Sequence, residues 1–440
     1  VMNTLTFFCI IKINNDKTYA VGSNSEGWAQ TSTEKNLVTE MTKTITVSNN
    51  SNDITLKVKM TDRAGNTSED EVTFSIDKTN PTIDVSYDNN TQDPNFADYY
   101  NADRTATIVI TERNFRPQDV VHNITNTGGT IPRLVGWTTV ANRENPDETV
   151  HTAKIAYTAD GDYTFDIAYK DNVGNVAPAY TPDTFTIDKT DPVINVSYNN
   201  NAASEGNYYK EARTATISIT EHNFDTSRVK VTGVATDGGN PIAFPSISGW
   251  RTNGDVHTAT ISYAADGKYS FDIEYTDRAG NISADYNLDE FIIDQTAPVL
   301  EITGVEDKSA NNGEVVPIVS YSDTNFNGNQ VSIKLTGANR GPVELNGSFS
   351  DAPNGQVYTF KNFEELKEND DIYTLTATIA DFAGNETSKT ITFSVNRFGS
   401  VYVFADELKN IEGKFIKDEI DVILTETNVD SLKAETIRVK

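Results

Sequence analysis

Cysteine occurs once in this 440-residue chain, at Cys9, so no disulfide can form within it and its cores must hold without a cross-link. Basic residues are scarce: 36 Lys and Arg stand against 64 Asp and Glu, a formal net charge of −28. Such a surface repels phosphates and anionic lipids, which argues against nucleic acid and acidic membranes as partners. It suits solubility and divalent cations. Long apolar runs are absent. The longest, residues 5–13, is too short to cross a bilayer and lacks a basic leader and cleavage site, so no membrane insertion is expected from this stretch. Histidine occurs four times, and His151 and His257 fall in the near-copies VHTAKIAY and VHTATISY. A catalytic residue is seldom duplicated along an array. No Gly-rich phosphate loop, metalloprotease helix motif or nucleophile elbow is present, so the chain does not read as an enzyme.

What the chain does have is a period. Asp-x-x-Gly-Asn occurs four times, beginning at Asp62, Asp171, Asp277 and Asp381, in steps of 109, 106 and 104 residues. Other landmarks keep the same phase. IDKT or IDQT carries Asp77, Asp188 and Asp294, followed by Pro81, Pro192 and Pro298. A T-E-x-N-F-like element carries Glu112, Glu221, Asp323 and Glu426, each two residues before an Asn. Gly-Trp pairs mark Trp28, Trp137 and Trp250. A chain of this length with this period is a string of similar domains. We divide it into units at 1–78, 79–190, 191–296, 297–396 and 397–440.

In the second unit seven runs alternate apolar and polar residues, near 82–88, 104–111, 118–125, 132–139, 150–158, 162–170 and 183–188, and Gly, Asn, Asp and Pro clusters separate them. Seven short strands in about 105 residues fit an immunoglobulin-like β-sandwich. Tyr163, Tyr269 and Tyr373 each stand two residues before an apolar core position, which suggests the tyrosine corner of such sandwiches. The fold class expected is therefore all-β: tandem immunoglobulin-like β-sandwich domains in an elongated array. By register the first unit lacks its two opening strands, unless residues 1–30 supply strands the alignment misses, and 397–440 reads as the start of a fifth unit. With Val at position 1, an excised fragment is expected. Residues 361–369 and 405–412 are candidates for short helices.

D-x-A-G-N followed by I-D-K-T-x-P-x-I resembles the bacterial immunoglobulin-like repeats of large surface proteins and adhesins, of the gut Firmicutes type, to which T-E-x-N-F and N-R-F-G-S are also similar. The resemblance spans nearly the whole chain. It implies an extracellular location, at a bacterial cell surface or cell wall, and a non-catalytic adhesive or projecting stalk. The alternative is a specific binding module for a host glycoprotein, an immunoglobulin or a mucin glycan. An accessory region of a secreted glycan-degrading enzyme is a third reading. An exposed aromatic patch on one unit separates a binder from a stalk.

The acids in phase have two readings. As turn and linker caps, the carboxylates and the flanking Asn of the motif bond local backbone while Gly65, Gly174, Gly280 and Gly384 supply positive φ between the last two strands. Stacked head to tail, such sandwiches would instead bring one domain's final Asp to the loops of the next. The resulting sets are Asp77, Glu112 and Asp171; Asp188, Glu221 and Asp277; and Asp294, Asp323 and Asp381. Oxygen-only, carboxylate-rich clusters suit Ca²⁺, which takes six to eight oxygens, and no other cofactor is indicated. The Gly-Trp pairs read as core packing or as platforms for sugar rings.

Overall fold

Alternation of apolar and polar residues dictates what the chain becomes. In Arg104–Glu112 every second residue is buried, including Ala106, Ile108 and Ile110, because successive side chains of a strand point to opposite faces. The computed structural model describes residues 7–13, 17–21, 29–34, 37–42, 46–61, 66–90 and 96–432, and their regular structure is almost wholly strand. The chain divides into two units, Val1–Thr190 with Arg278–Asn281, and Asp191–Asp277 with Ile282–Lys440.

The first unit contains a complete sandwich. One sheet orders its strands Leu134–Ala141, Thr149–Tyr157, Arg104–Glu112 and Thr82–Tyr87, all antiparallel. The facing sheet orders Val120–Asn126, Gly161–Tyr169 and Asp183–Ile187, and Tyr99–Tyr100 adds a short parallel edge. Ile108, Ile155, Tyr157, Phe165 and Ile187 are fully buried between them. Ahead of this sandwich, Phe7–Ile13 and Lys17–Val21 join Ser51–Thr61 and Thr67–Ile76 in a four-stranded sheet, so residues before 30 do contribute strands. The first Asp-x-x-Gly-Asn turn, with Gly65, and Trp28 lie outside the described residues.

The second unit repeats the plan twice. Its first sandwich pairs the sheet Val193–Tyr198, Arg213–Thr220, Val256–Tyr263 and Ser248–Asn253 with one built on Gly267–Tyr275. Its second pairs Val299–Thr303, Ile318–Ser322, Gly355–Thr359 and Ser348–Ala352 with one built on Asp371–Asp381. The expected helix over 361–369 is reduced to a 3-10 turn, Lys367–Asn369. Phe360 and Phe363 dive into the core there, and Arg397 takes the carbonyls of Phe363 and Glu364, leaving no ladder for an α-helix. Asp406–Lys409 forms one helical turn after Val401–Phe404, which pairs with Leu424–Thr427.

The corner tyrosines behave alike. The hydroxyls of Tyr163, Tyr269 and Tyr373 donate to the carbonyls of Ala159, Ala265 and Asn369, four residues upstream, at 2.7, 2.9 and 2.9 Å. Phe165, Phe271 and Leu375 fill the core two residues on, where antibody domains place cysteine. Tyr269→Phe should destabilise its sandwich by about 1 kcal/mol, the worth of one such bond. A calorimetric trace indistinguishable from the unsubstituted chain would show that the bond contributes nothing.

Candidate functional site

Each Asp-x-x-Gly-Asn motif in the described residues sits in the turn linking the last two strands of its sandwich. Gly174, Gly280 and Gly384 have φ of 109°, 96° and 85°, values that favour glycine. At Asp171 the cap is complete. Its Oδ1 accepts the amides of Val173, Gly174 and Asn175, and its Oδ2 accepts the Asn175 side chain at 2.7 Å.

These turns bring the phased acids together. Asp77 follows strand Thr67–Ile76, Glu112 ends Arg104–Glu112, and Asp171 opens the turn; one carboxylate oxygen of each lies within 4.8 Å of the others. Glu112 is 1% exposed and Asp171 5%. Asp77 accepts Thr79 N on one oxygen and Asn114 Nδ2 on the other. Glu112 Oε1 accepts Asn114 N at 2.9 Å, but its Oε2 is buried with no hydrogen-bond partner. Burial pushes the Glu112 carboxyl above its ordinary range, and the charges of Asp77 and Asp171 push it the same way. A cleft of about 420 Å³ opens beside the cluster, lined in part by Asn52, Ser75, Asn114 and Asn172.

In the second unit Asp294, Asp323 and Asp381 have carboxylate oxygens within the same 4.8 Å. Asp294 Oδ2 accepts Asn325 Nδ2 at 2.8 Å, and Asp381 accepts both amide groups of Asn385. Asp294 is pushed up to about 6, first by burial and then by the charges of Asp323 and Asp381; Asp323 is raised first by burial and then by the charges of Asp381 and Asp266. Of the remaining set, Asp188 belongs to the first unit and Glu221 and Asp277 to the second, and all three are buried. After the fourth repeat Asn396 stands where the other linkers have Asp, and its Nδ2 donates to Asn428 Oδ1.

Sequence reasoning missed the bonds that the asparagines make to the linker Asp, and the residue after that Asp. Asn175 and Asn385 donate not only to their own turns but to the main-chain carbonyls of Asp77 and Asp294, at 3.3 and 2.8 Å. The Asn of the T-E-x-N-F element, Asn114 or Asn325, grips the same Asp by its carboxylate. Lys78, Lys189, Gln295 and Arg397, next in the chain, each donate to a carbonyl of the preceding repeat: Ser48, Thr158, Ala264 and Phe363. The in-phase asparagines were the available signal for the first pairs. Two of the four linker residues are lysines, but Gln295 and Arg397 break the series, so no single residue type marks their common role.

The other candidates resolve into packing. Trp137 and Trp250 are half-buried against the cores, with ring centroids 4.8 and 4.9 Å from Phe115 and Phe224. His151 and His257 are buried, stacked on the same phenylalanines at 4.0 and 4.1 Å, and bonded to Thr139 and Thr252. Burial holds the His151 imidazole below its ordinary value, which favours the neutral ring.

Two-sheet sandwiches repeated along one chain, with phased turns and linkers, define a class of tandem immunoglobulin-like β-proteins. The chain belongs to the family of bacterial Ig-like domains (group 3), whose model matches residues 149–255 and 256–397, more than half of it. No curated protein sequence matches the chain. Among solved structures, the tetra-tandem repeat in the extending region of a large adhesion protein is similar over 90% of this chain and 93% of its own, at 16% identity and a TM-score of 0.42. The ICAM-5 D1–D4 ectodomain fragment is similar over 78% and 83%, at 11% identity and 0.36. The Escherichia coli adhesin FdeC is similar over 73% and 99%, at 13% identity and 0.28. Among the described residues no helix is long and apolar enough to cross a membrane.

Proposed function

We propose that this chain is a non-catalytic, extracellular repeat region of a bacterial surface protein, a spacer or adhesive stalk that binds calcium at its joints. The observation that carries the reading is Glu112 Oε2. A buried carboxylate oxygen without a partner, on a residue clustered with two further carboxylates, is costly unless a proton or a cation neutralises it. The donors fit Ca²⁺: all are oxygens, and ligand distances of about 2.3–2.6 Å allow oxygens up to roughly 5 Å apart around one ion. Asp77, Glu112 and Asp171 would hold one ion, and Asp294, Asp323 and Asp381 another. The ion supplies charge that cancels carboxylate repulsion across the joint. Asn114 and Asn325 orient the linker Asp from behind, in the way outer amides and carbonyls orient metal ligands.

The packing of Trp137 and Trp250 against the cores favours a spacer over a glycan receptor, which needs aromatic faces in solvent. The test is capture. The immobilised chain is expected to retain neither immunoglobulins nor mucin-type glycoproteins from host secretions, in calcium or in chelator. Saturable retention of one of them would make the chain a specific receptor instead.

A further inference from the structure

The second residue of Asp-x-x-Gly-Asn varies, and in the fourth repeat it is Phe382. In the second unit the short strand Tyr208–Tyr209 runs parallel to Asp289–Ile293 at the edge of its sheet. Strand alternation turns the two tyrosines to opposite faces. Tyr209 lies inward, its ring 3.9 Å from the Arg213 guanidinium carbon. Tyr208 points away from that core and stacks on Phe382, with centroids 5.1 Å apart and planes at 28°. The loop that carries Tyr208 makes two more bonds to the same neighbour. Lys210 Nζ donates to Gly384 O at 3.1 Å, and Asn327 Nδ2 donates to Glu205 Oε2 at 2.9 Å. The approach is close enough that a Cβ on Gly384 would sit 2.8 Å from Ser204 Oγ. None of these groups belongs to the acid triad. At the first triad the equivalent of Phe382 is Asn172, which is bonded to Arg116 of its own sandwich.

We propose that Tyr208 and Phe382 form a clasp between the third and fourth repeats that holds their joint without any cation, and that the second residue of the motif decides which joints carry such a clasp. The stack is neutral, and its supporting bonds run to a carbonyl and between an amide and a carboxylate, so chelation leaves all of them in place. The array then has joints of two kinds. One depends on its ion, and the other stays fixed when the ion is withdrawn. The clasp stands independently of the calcium reading, although the two are measured together.

Double electron–electron resonance on the full chain tests this. In a Cys9→Ser background, one spin-label pair at Lys230→Cys and Glu344→Cys reports the third and fourth repeats. A second pair, at Asp70→Cys and Lys154→Cys, reports the joint at the first triad. The 230–344 distance distribution should stay a single narrow peak in calcium and in EGTA. With Phe382→Ala it should stay narrow in calcium and lose its narrow peak in EGTA. Tyr208→Ala, which removes the other half of the stack, should do the same. A 230–344 peak that broadens in EGTA with the clasp intact would overturn the proposal, as would a Phe382→Ala peak that stays narrow there. The 70–154 pair should narrow only with calcium. If it ignores calcium, the calcium reading falls, and the clasp is still judged on the 230–344 pair.

Discussion

Arg213→Ala should destabilise the third sandwich by about 3 kcal/mol, among the largest single losses the fold can register without a core cavity. Arg213 is 5% exposed. Its guanidinium carbon lies 3.9 Å from the rings of both Tyr198 and Tyr209 and 4.6 Å from Phe291. A desolvated cation over an aromatic face contributes about 2 kcal/mol. Its Nε and Nη2 also donate to Asn200 O and Asn201 Oδ1, at 2.9 and 3.2 Å. Bonds from a charged donor contribute about 1.5–3 kcal/mol each before the loss is shared with relaxing neighbours. Asp289 ties the cage from the other side by accepting the hydroxyls of Tyr198 and Tyr286, at 2.8 and 2.6 Å. Arg213→Lys keeps the charge but loses the planar fork, and about half the loss is expected. Differential scanning calorimetry should show one transition shifted down by on the order of 10 °C while the others stay. A shift too small to resolve would mean that the guanidinium only covers the rings. Arg104 repeats the arrangement over Tyr87, Tyr100 and Phe185, and its substitution should move a different transition.

That cage marks the limit of what the sequence revealed. The period, the all-β class and the glycine turns were legible because each is written locally and repeated. A turn that needs positive φ favours a glycine, and a corner Tyr precedes an apolar strand position. Arg104 and Asp183, whose carboxylate accepts the Tyr87 and Tyr180 hydroxyls, carry no local sign: each reads as a charged residue opening a strand run, far from the other along the chain. The signal lies in comparison between repeats. Eight residues before the T-E-x-N-F acid, Arg104 and Arg213 give way to Val315 in the fourth sandwich. Opposite the core residue after the corner Tyr, Asp183 and Asp289 give way to Ile391. A polar cage and an apolar plug are alternative fillings of one space, exchanged together. The two-residue edge Tyr99–Tyr100 was missed because a strand that short has no alternation to read. The asparagines of the joints were seen as turn formers, but their second bonds, to Asp77 and Asp294, run between repeats.

Glu112→Gln should change the chain's stability with opposite signs in chelator and in calcium. In EGTA the Glu112 carboxylate keeps one buried oxygen unpaired and lies clustered with Asp77 and Asp171, and an amide removes its charge at nearly constant volume. The substituted chain should then melt higher, because an uncompensated buried charge is gone. In calcium the order should reverse. An ion that binds only the folded chain adds about 2.7 kcal/mol at a hundredfold excess over its dissociation constant. Losing one of three carboxylates should forfeit much of that. Proton linkage gives the same logic a pH axis. Asp294, raised to about 6 in the fold, holds its proton more tightly there than in the unfolded chain. Without calcium, stability should therefore fall as pH rises from about 4 to 6 and stay low above that. With calcium, protons compete with the ion for Asp294, so the added stability should be full near neutrality and shrink as pH falls through the same window. Titration calorimetry without heat at millimolar calcium, together with one Glu112→Gln offset in both buffers, would sink the proposal. The triads would then be turn caps, a proton would neutralise Glu112, and order at the joints would rest on the asparagine bonds to the linker aspartates.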